Sequence, residues 1–340
     1  MDSEESDVET ESNRINHFSP NKSDSMVVKS VSKNYGKFQA VRNISFGVKR
    51  GECFGVLGEN GAGKTTMFKM ITGSEDLTSG DILVNGNSVQ KDIRTIYHDI
   101  GYCPQFDGLI DHLTGRETLK IVSRIRGINE NIIDEQIDAL SRLLFFEKHI
   151  DQQISGYSGG TKRKLSFAIS IVGNPLIAFL DEPTTGVDPV SRRCLWNAIH
   201  MVREAGSSLV LTSHSMEECE ALCNRLIIMV HGRITCLGSP MHLKQKYGAG
   251  YIVHIKLKHP IVEKSIRKLD RFMRIKFPEC YLDSIHNNMI VYKIQTNQIK
   301  LSQLFGSIER SKDSLFIEDY SICQTSLERI FLSFVRKEKK

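Results

Sequence analysis

The sequence predicts an α/β chain: a mainly parallel sheet covered on both faces by helices, then a smaller unit built in a different order. Three observations carry this. The apolar runs Cys53-Phe54-Gly55-Val56-Leu57, Ile177-Ala178-Phe179-Leu180 and Ser208-Leu209-Val210-Leu211 each open onto glycine or polar residues, as buried parallel strands do. Helical patterns lie between these runs, so strand and helix alternate. After the break at Gly248-Ala249-Gly250 the order becomes βαββαβ with one more helix.

The elements follow in turn. From Met26 the chain reads as strands, and Ile44, Phe46 and Val48 alternate with other residues as in a half-buried strand. Residues 65–72 form a helix stopped by Gly73, a usual C-terminal residue type. Ile82-Leu83-Val84 is a strand turning through Asn85-Gly86. Residues 112–172 are mostly helical, with Ile132, Ile133, Ile137, Leu140, Leu143 and Leu144 at helical spacing. Further on, 251–258 is a strand, 262–275 a helix, and 281–285 and 289–294 strands around an Asn287-Asn288 turn. Residues 299–308 are helical, 314–322 a strand and 326–335 a helix, which suits a small ferredoxin-like domain.

The 340 residues suggest two domains at roughly 150 residues each. With 40% hydrophobic and 25% charged residues, the composition is that of a chain with packed cores. No stretch approaches the ~20 unbroken apolar residues that cross a bilayer. The most apolar one, 165–180, is interrupted by Gly173-Asn174-Pro175. Composition alone thus describes a cytosolic protein without a membrane pathway of its own. The acidic start, MDSEESDVETES, is neither a signal nor a transit peptide. Residues 1–25 carry a net charge of −5 and few apolar side chains, so they are expected to be a disordered acidic linker. The cassette-sized middle, 26–250, carries +3, and 251–340 carries +7. The basic end suits a solvated face or an anionic surface, and the overall charge does not indicate nucleic acid. Eight scattered cysteines show no CxxC pair, which argues against zinc and for a reducing compartment.

Gly58-Glu59-Asn60-Gly61-Ala62-Gly63-Lys64-Thr65-Thr66 matches the phosphate-binding P-loop, between an apolar strand and a helix as the chemistry requires. Glycines let backbone N–H groups close around a phosphate, helped by the helix N-terminus. Lys64 is expected to span the β- and γ-phosphates, and the Thr65 hydroxyl to reach Mg²⁺. The strand 177–180 delivers Asp181 towards the metal and Glu182 towards an attacking water. Nucleotide kinases share both features, so a third element must decide.

That element is Tyr157-Ser158-Gly159-Gly160-Thr161-Lys162-Arg163-Lys164, which resembles the signature motif of ATP-binding cassette (ABC) proteins. Companion motifs stand in order. Tyr35 resembles the adenine-stacking aromatic, Gln105 the Q-loop glutamine, Asp188 the D-loop aspartate and His214 the switch histidine. GYCPQFD at 101–107, YSGGTKRKLS at 157–166, LDEPTTGVDP at 180–189 and LTSHSMEECEALC at 211–223 look like the A subfamily of ABC transporters. The resemblance covers residues 26 to about 245, and 250–340 look like that subfamily's basic regulatory domain.

The resemblance implies a P-loop NTPase cassette over 26–249, with a parallel sheet core, an antiparallel β subdomain and a helical subdomain, then a regulatory domain over 250–340. It implies ATP and Mg²⁺ as cofactors. ATP would contact Tyr35, Gly58, Asn60, Gly61, Gly63, Lys64, Thr65 and Thr66. Ser158, Gly159, Gly160 and Asp188 would meet the nucleotide of a second cassette. Thr65, Gln105 and Asp181 would hold the metal, and Glu182, His214, Lys64 and Gln105 would serve hydrolysis. The partners implied are a second nucleotide-binding domain, transmembrane domains and, through them, a lipid or sterol, at the cytoplasmic face of a membrane. Two alternatives stay open: a soluble ABC ATPase acting on ribosomes or DNA, and a non-catalytic nucleotide-regulated module. Thr161 departs from the glutamine usual in the signature, and its position past the phosphate-binding turn makes a small cost expected. Residues 7–15 resemble the acidic linker before a second nucleotide domain, so the chain is expected to be the cytosolic C-terminal end of a longer transporter or a gene product truncated to it.

Overall fold

A computed structural model describes residues 6–17, 23–248, 250–258, 263–286, 288–294, 301–324 and 326–338. The chain divides into two compact units after Pro240. In the first, β1 (Asp24–Tyr35), β2 (Phe38–Lys49), β4 (Ser79–Val84) and β5 (Asn87–Ser88) form an antiparallel sheet in the order β2-β1-β4-β5. A six-stranded sheet combines β3 (Cys53–Gly58), β6 (Ile100–Cys103), β7 (Ile177–Asp181), β8 (Ser208–Ser213), β9 (Arg225–Val230) and β10 (Arg233–Gly238). Its order is β10-β9-β3-β8-β7-β6, parallel except for β10. Every residue of β3, β7 and β8 is buried, which explains their continuous apolar runs. Stacked Phe46 and Phe54, 5.2 Å apart, join the two sheets in one core with Phe68 and Phe179.

Helices α2 (Lys64–Ile71), α3 (Val89–Ile96), α4 (Gly115–Ile125), α5 (Glu130–Leu143), α6 (Gly159–Ile171), α7 (Pro189–Glu204) and α8 (Met216–Leu222) fill the connections. Caps set their starts. Thr114 and Glu117 close a capping box on α4, and Asp188 accepts from the N–H groups of Val190 and Ser191 at the start of α7.

The N-terminal expectation needs correcting. Residues 7–16 are not disordered but form α1 (Asp7–Asn16), opened by a capping box between Ser6 and Glu9. Glu11 and Ile15, one turn apart, are both buried, and Val8 packs on the core of the unit. The charge that composition counted against order is neutralised by distant partners. Glu11 Oε1 accepts from the Gly47 N–H (3.1 Å), Arg14 Nη2 (2.8 Å) and Arg225 Nη2 (3.2 Å), while Arg14 also pairs with Asp24 (2.9 Å). Burial pushes the Glu11 carboxyl up. The Arg14 hydrogen bonds, Arg225 and the Gly47 N–H outweigh it, leaving the pKa below its ordinary value. A depressed carboxyl stabilises fully above its unfolded pKa and loses that contribution as pH falls through its folded one. The difference in urea midpoint between the parent chain and Glu11→Gln should therefore shrink as the solution is acidified below the carboxylate range. Ile15→Ala should cost about 2–5 kcal/mol in the same experiment if α1 belongs to the cooperative unit; an unchanged midpoint would separate it.

In the second unit β11 (Tyr251–Leu257), β12 (Cys280–His286), β13 (Met289–Ile294) and β14 (Ile317–Gln324) pair antiparallel in the order β12-β13-β11-β14. With α10 (Glu263–Lys276) and α11 (Leu301–Ser311) this is the expected ferredoxin-like βαββαβ arrangement, followed by α12 (Leu327–Glu338). Its core runs from Val253, Ile255 and Leu257 to Leu269, Met273, Leu304 and Ile308. Helix α9 (Pro240–Tyr247) belongs mainly to this unit, because the Tyr247 ring packs edge-on against Phe334 at 5.1 Å. The break residue Ala249, the first helical residue Val262, the turn residue Asn287 and residues 299–300 lie outside the described residues. All eight cysteines are free thiols, seven of them buried. Among the described residues no helix is long and apolar enough to cross a membrane.

Candidate nucleotide site

The carboxyl ends of parallel strands β3, β6, β7 and β8 bring the expected residues to one edge of the sheet. After β3 the chain turns through Gly61 (φ +83°) and Gly63 (φ +102°) into α2, whose first residue is Lys64. A Cβ on Gly63 would lie 2.6 Å from the Ala40 carbonyl oxygen, so only glycine fits there. Lys64 is 5% exposed, and its Nζ donates to the carbonyls of Gly58 (2.7 Å) and Glu59 (3.1 Å). Burial pulls its pKa below the ordinary value, against the opposing pull of Glu182 and Asp181. Asn60 and Thr65 are exposed at the loop and Thr66 is half-buried.

Asp181 ends β7 beside Thr212 of β8, whose hydroxyl donates to Asp181 Oδ1 at 2.5 Å. Its other oxygen, Oδ2, is buried without a hydrogen-bond partner among the described residues, and burial raises the carboxyl's pKa. An orphaned buried carboxylate oxygen, a threonine hydroxyl and a side-chain amide oxygen are all hard donors, so the chemistry of Asp181, Thr65 and Gln105 fits Mg²⁺.

Glu182 adopts φ +46°, a left-handed conformation that costs on the order of 1–3 kcal/mol in a residue with a side chain. It is 7% exposed. Its Oε2 accepts from Gln105 Nε2 (3.2 Å) and the Thr185 hydroxyl (3.1 Å), and lies 3.5 Å from His214 Nδ1. The Glu182 N–H donates to Thr212 Oγ1 at 2.9 Å, holding the strained turn. Gln105 thus meets Glu182 through Nε2, so a metal contact would fall to its Oε1.

Tyr35 lies at the β1–β2 hairpin, 43% exposed as a residue, with the Lys33 ammonium 5.0 Å from its ring centroid. Ser158 and Gly159 are exposed at the start of α6, and a Cβ on Gly160 would lie 2.9 Å from Asp188 Oδ2. The signature turn and the D-loop aspartate therefore pack on each other. Among the described residues no hydrogen bond or ion pair joins Ser158 or Asp188 to the P-loop. Thr161 is engaged rather than idle: its N–H donates to Ser158 Oγ (3.2 Å) and the two hydroxyls lie 2.9 Å apart.

With this geometry in place, comparison with known proteins is decisive. The family model described as ABC transporter matches residues 41–185, and that described as ABCA1-like, C-terminal R1 regulatory domain matches 248–324. The chain belongs to the ABC transporter family. It is 47% identical over 312 residues to the phospholipid-transporting ATPase ABCA3 of Rattus norvegicus, covering 91% of this chain and 18% of that protein. Against the retinal-specific phospholipid-transporting ATPase ABCA4 of Bos taurus the identity is 43%, covering 99% and 15%. The chain thus spans less than a fifth of the length of either relative. A solved ATP binding subunit of an ABC transporter superimposes with a TM-score of 0.62 at 26% identity, covering 66% of this chain and 93% of that one. The cassette MJ0796, solved as a dimer in a post-hydrolysis state with ADP and Pi, shares the fold with a TM-score of 0.58 at 21% identity, covering 63% and 98%.

One residue of the ABC cassette escaped the motif reading. Arg163, 3% exposed on α6, donates through Nε to the Pro183 carbonyl (2.9 Å) and through Nη2 to those of Asp181 (2.7 Å) and Glu182 (3.0 Å). Its Nη1 reaches the Pro104 carbonyl (2.5 Å), the Gln105 carbonyl (3.3 Å) and Asp107 Oδ1 (2.9 Å). One guanidinium therefore joins the signature helix, the Q-loop and the acidic end of β7.

Proposed function

We infer that this chain is the ATP-hydrolysing cassette of an A-type transporter, at the cytoplasmic face of a membrane, powering lipid or sterol movement through transmembrane domains on another segment. The observation that supports this best is the meeting of Lys64, Asp181, Glu182, Gln105 and His214 at one sheet edge, with Ser158 turned to a separate exposed helix start. Lys64 exchanges the Gly58 and Glu59 carbonyls for the β- and γ-phosphates of ATP. Glu182 accepts the proton of the attacking water, and His214 beside it meets the γ-phosphate. Thr65, Asp181 and Gln105 would hold Mg²⁺, which would supply charge neutralisation on the phosphates. The N–H groups at the start of α6 serve the nucleotide of a second cassette, a pairing supported by the dimeric neighbour.

Lipid as the cargo is supported by the printed names of ABCA3 and ABCA4. Docking to transmembrane domains is supported by Phe106, 83% exposed directly after Gln105, with Ile110 exposed in the same loop. A ligand report at Gln105 would thus travel one residue to that surface. ATP turnover should be measured for the chain alone and joined to its membrane segment. Turnover that rises on joining supports the reading; tight ATP binding without hydrolysis in either state would leave only the non-catalytic module.

A further inference from the structure

The geometry points to Glu218 as a positioning residue that ties the loop carrying Glu182 to the loop carrying His214, an inference that rests on the hydrolytic reading above. Glu218 is 3% exposed on α8, and no ion pair among the described residues involves it. A buried carboxylate without a cation is costly, and a purely packing role would be met by an apolar side chain. What it has instead is two hydroxyls. Thr184 Oγ1 donates to Glu218 Oε1 at 2.7 Å, and Ser213 Oγ donates to Oε2 at 2.6 Å. Thr184 lies two residues after Glu182, and Ser213 directly precedes His214. Ser213 Oγ also accepts from the Ser215 N–H at 2.9 Å, fixing the far side of His214. Ser215 Oγ in turn accepts the Glu218 N–H at 3.4 Å, closing the ring of bonds.

The carboxylate therefore acts as a two-pronged clamp. Hydrogen bonds to an ionised acceptor are roughly twice as strong as neutral ones, so each prong holds its loop firmly. What the clamp preserves is the 3.5 Å approach of His214 Nδ1 to Glu182 Oε2 across two separate strands' ends. A misplacement of about 1 Å in such a pair costs about 10²-fold in rate. Glu218 makes this contribution through Thr184 and Ser213.

The test uses the full chain with Glu218→Ala, Glu218→Gln, Thr184→Val, Ser213→Ala and the Thr184→Val/Ser213→Ala pair. In the nucleotide-free chain, Glu218→Ala should speed amide hydrogen exchange at 182–187 and 212–216 together by about tenfold, leaving 58–66 at the parent rate. Thr184→Val should loosen only the first segment and Ser213→Ala only the second. In ATP turnover, Glu218→Ala should lower kcat by about 10- to 100-fold with KM within about threefold. Glu218→Gln, which keeps the shape and can still meet both hydroxyls, should restore most of it. Adding Glu218→Ala to the double variant should cost nothing further, because both prongs are already gone. If Glu218→Ala does not fold, the double variant carries the same exchange and kinetic comparison. Parent exchange rates in both segments, or a KM that rises in step with the fall in kcat, would overturn the proposal. Parent turnover in Glu182→Gln and His214→Ala would instead overturn the hydrolytic reading on which it rests.

Discussion

Glu182→Gln should bind ATP as tightly as the parent chain and hydrolyse it about 10²- to 10⁴-fold more slowly, the usual contribution of a positioned general base. The substitution removes the proton acceptor and keeps the shape, so Lys64 and the P-loop remain as they are. The carbonyl oxygen of the new amide can still accept from the Gln105 amide and the Thr185 hydroxyl, so the left-handed turn survives. With ATP bound and uncleaved, the variant should stay paired with a second cassette. Light scattering should show twice the chain mass in ATP and one chain mass in ADP. A variant that turns over like the parent would remove Glu182 from catalysis.

Arg163→Ala should be the most damaging single change away from the nucleotide-contacting residues. It strips the carbonyls of Pro104, Asp181, Glu182 and Pro183 of a donor and leaves Asp107 without its buried cation. Breaking one side of a buried ion pair costs about 3–5 kcal/mol, which urea unfolding would read directly. Arg163→Lys should recover little, because a single ammonium cannot serve carbonyls that the planar fork reaches through three nitrogens. Turnover should fall with stability in Arg163→Ala and remain depressed in Arg163→Lys even where the chain is folded. A lysine variant with parent stability and turnover would show that the fork is dispensable.

The parts legible in the sequence are those whose signal is local. The strand–glycine loop–helix around Lys64 follows from adjacent residues, as does the acidic end of β7. The βαββαβ order of the second unit follows from periodicity alone and is what the sheet shows. What composition conceals depends on partners far along the chain. Glu11 meets Arg225 at a separation of 214 residues, so an acidic segment that looks unstructured in isolation is a docked helix. Arg163 stands in a Lys-Arg-Lys run that reads as a solvated face, and its partners lie 18 to 59 residues away. Its place one turn before Phe167, on the buried side of α6, is the available signal. Glu218 sits beside Glu217 in an acidic pair and is hidden the same way, although the buried Leu222 one turn on marks its face.

Hydrolysis by this route requires that ATP be cleaved between two cassettes, with Lys64 and Glu182 on one side and the Ser158 turn on the other. The measurement that reads this without an intermediary is ATP turnover per chain as a function of chain concentration, at saturating ATP and Mg²⁺. A shared site makes turnover per chain rise steeply with concentration and level off as pairs saturate. Turnover per chain that is measurable and flat across the whole range would place the complete site within a single chain and contradict it.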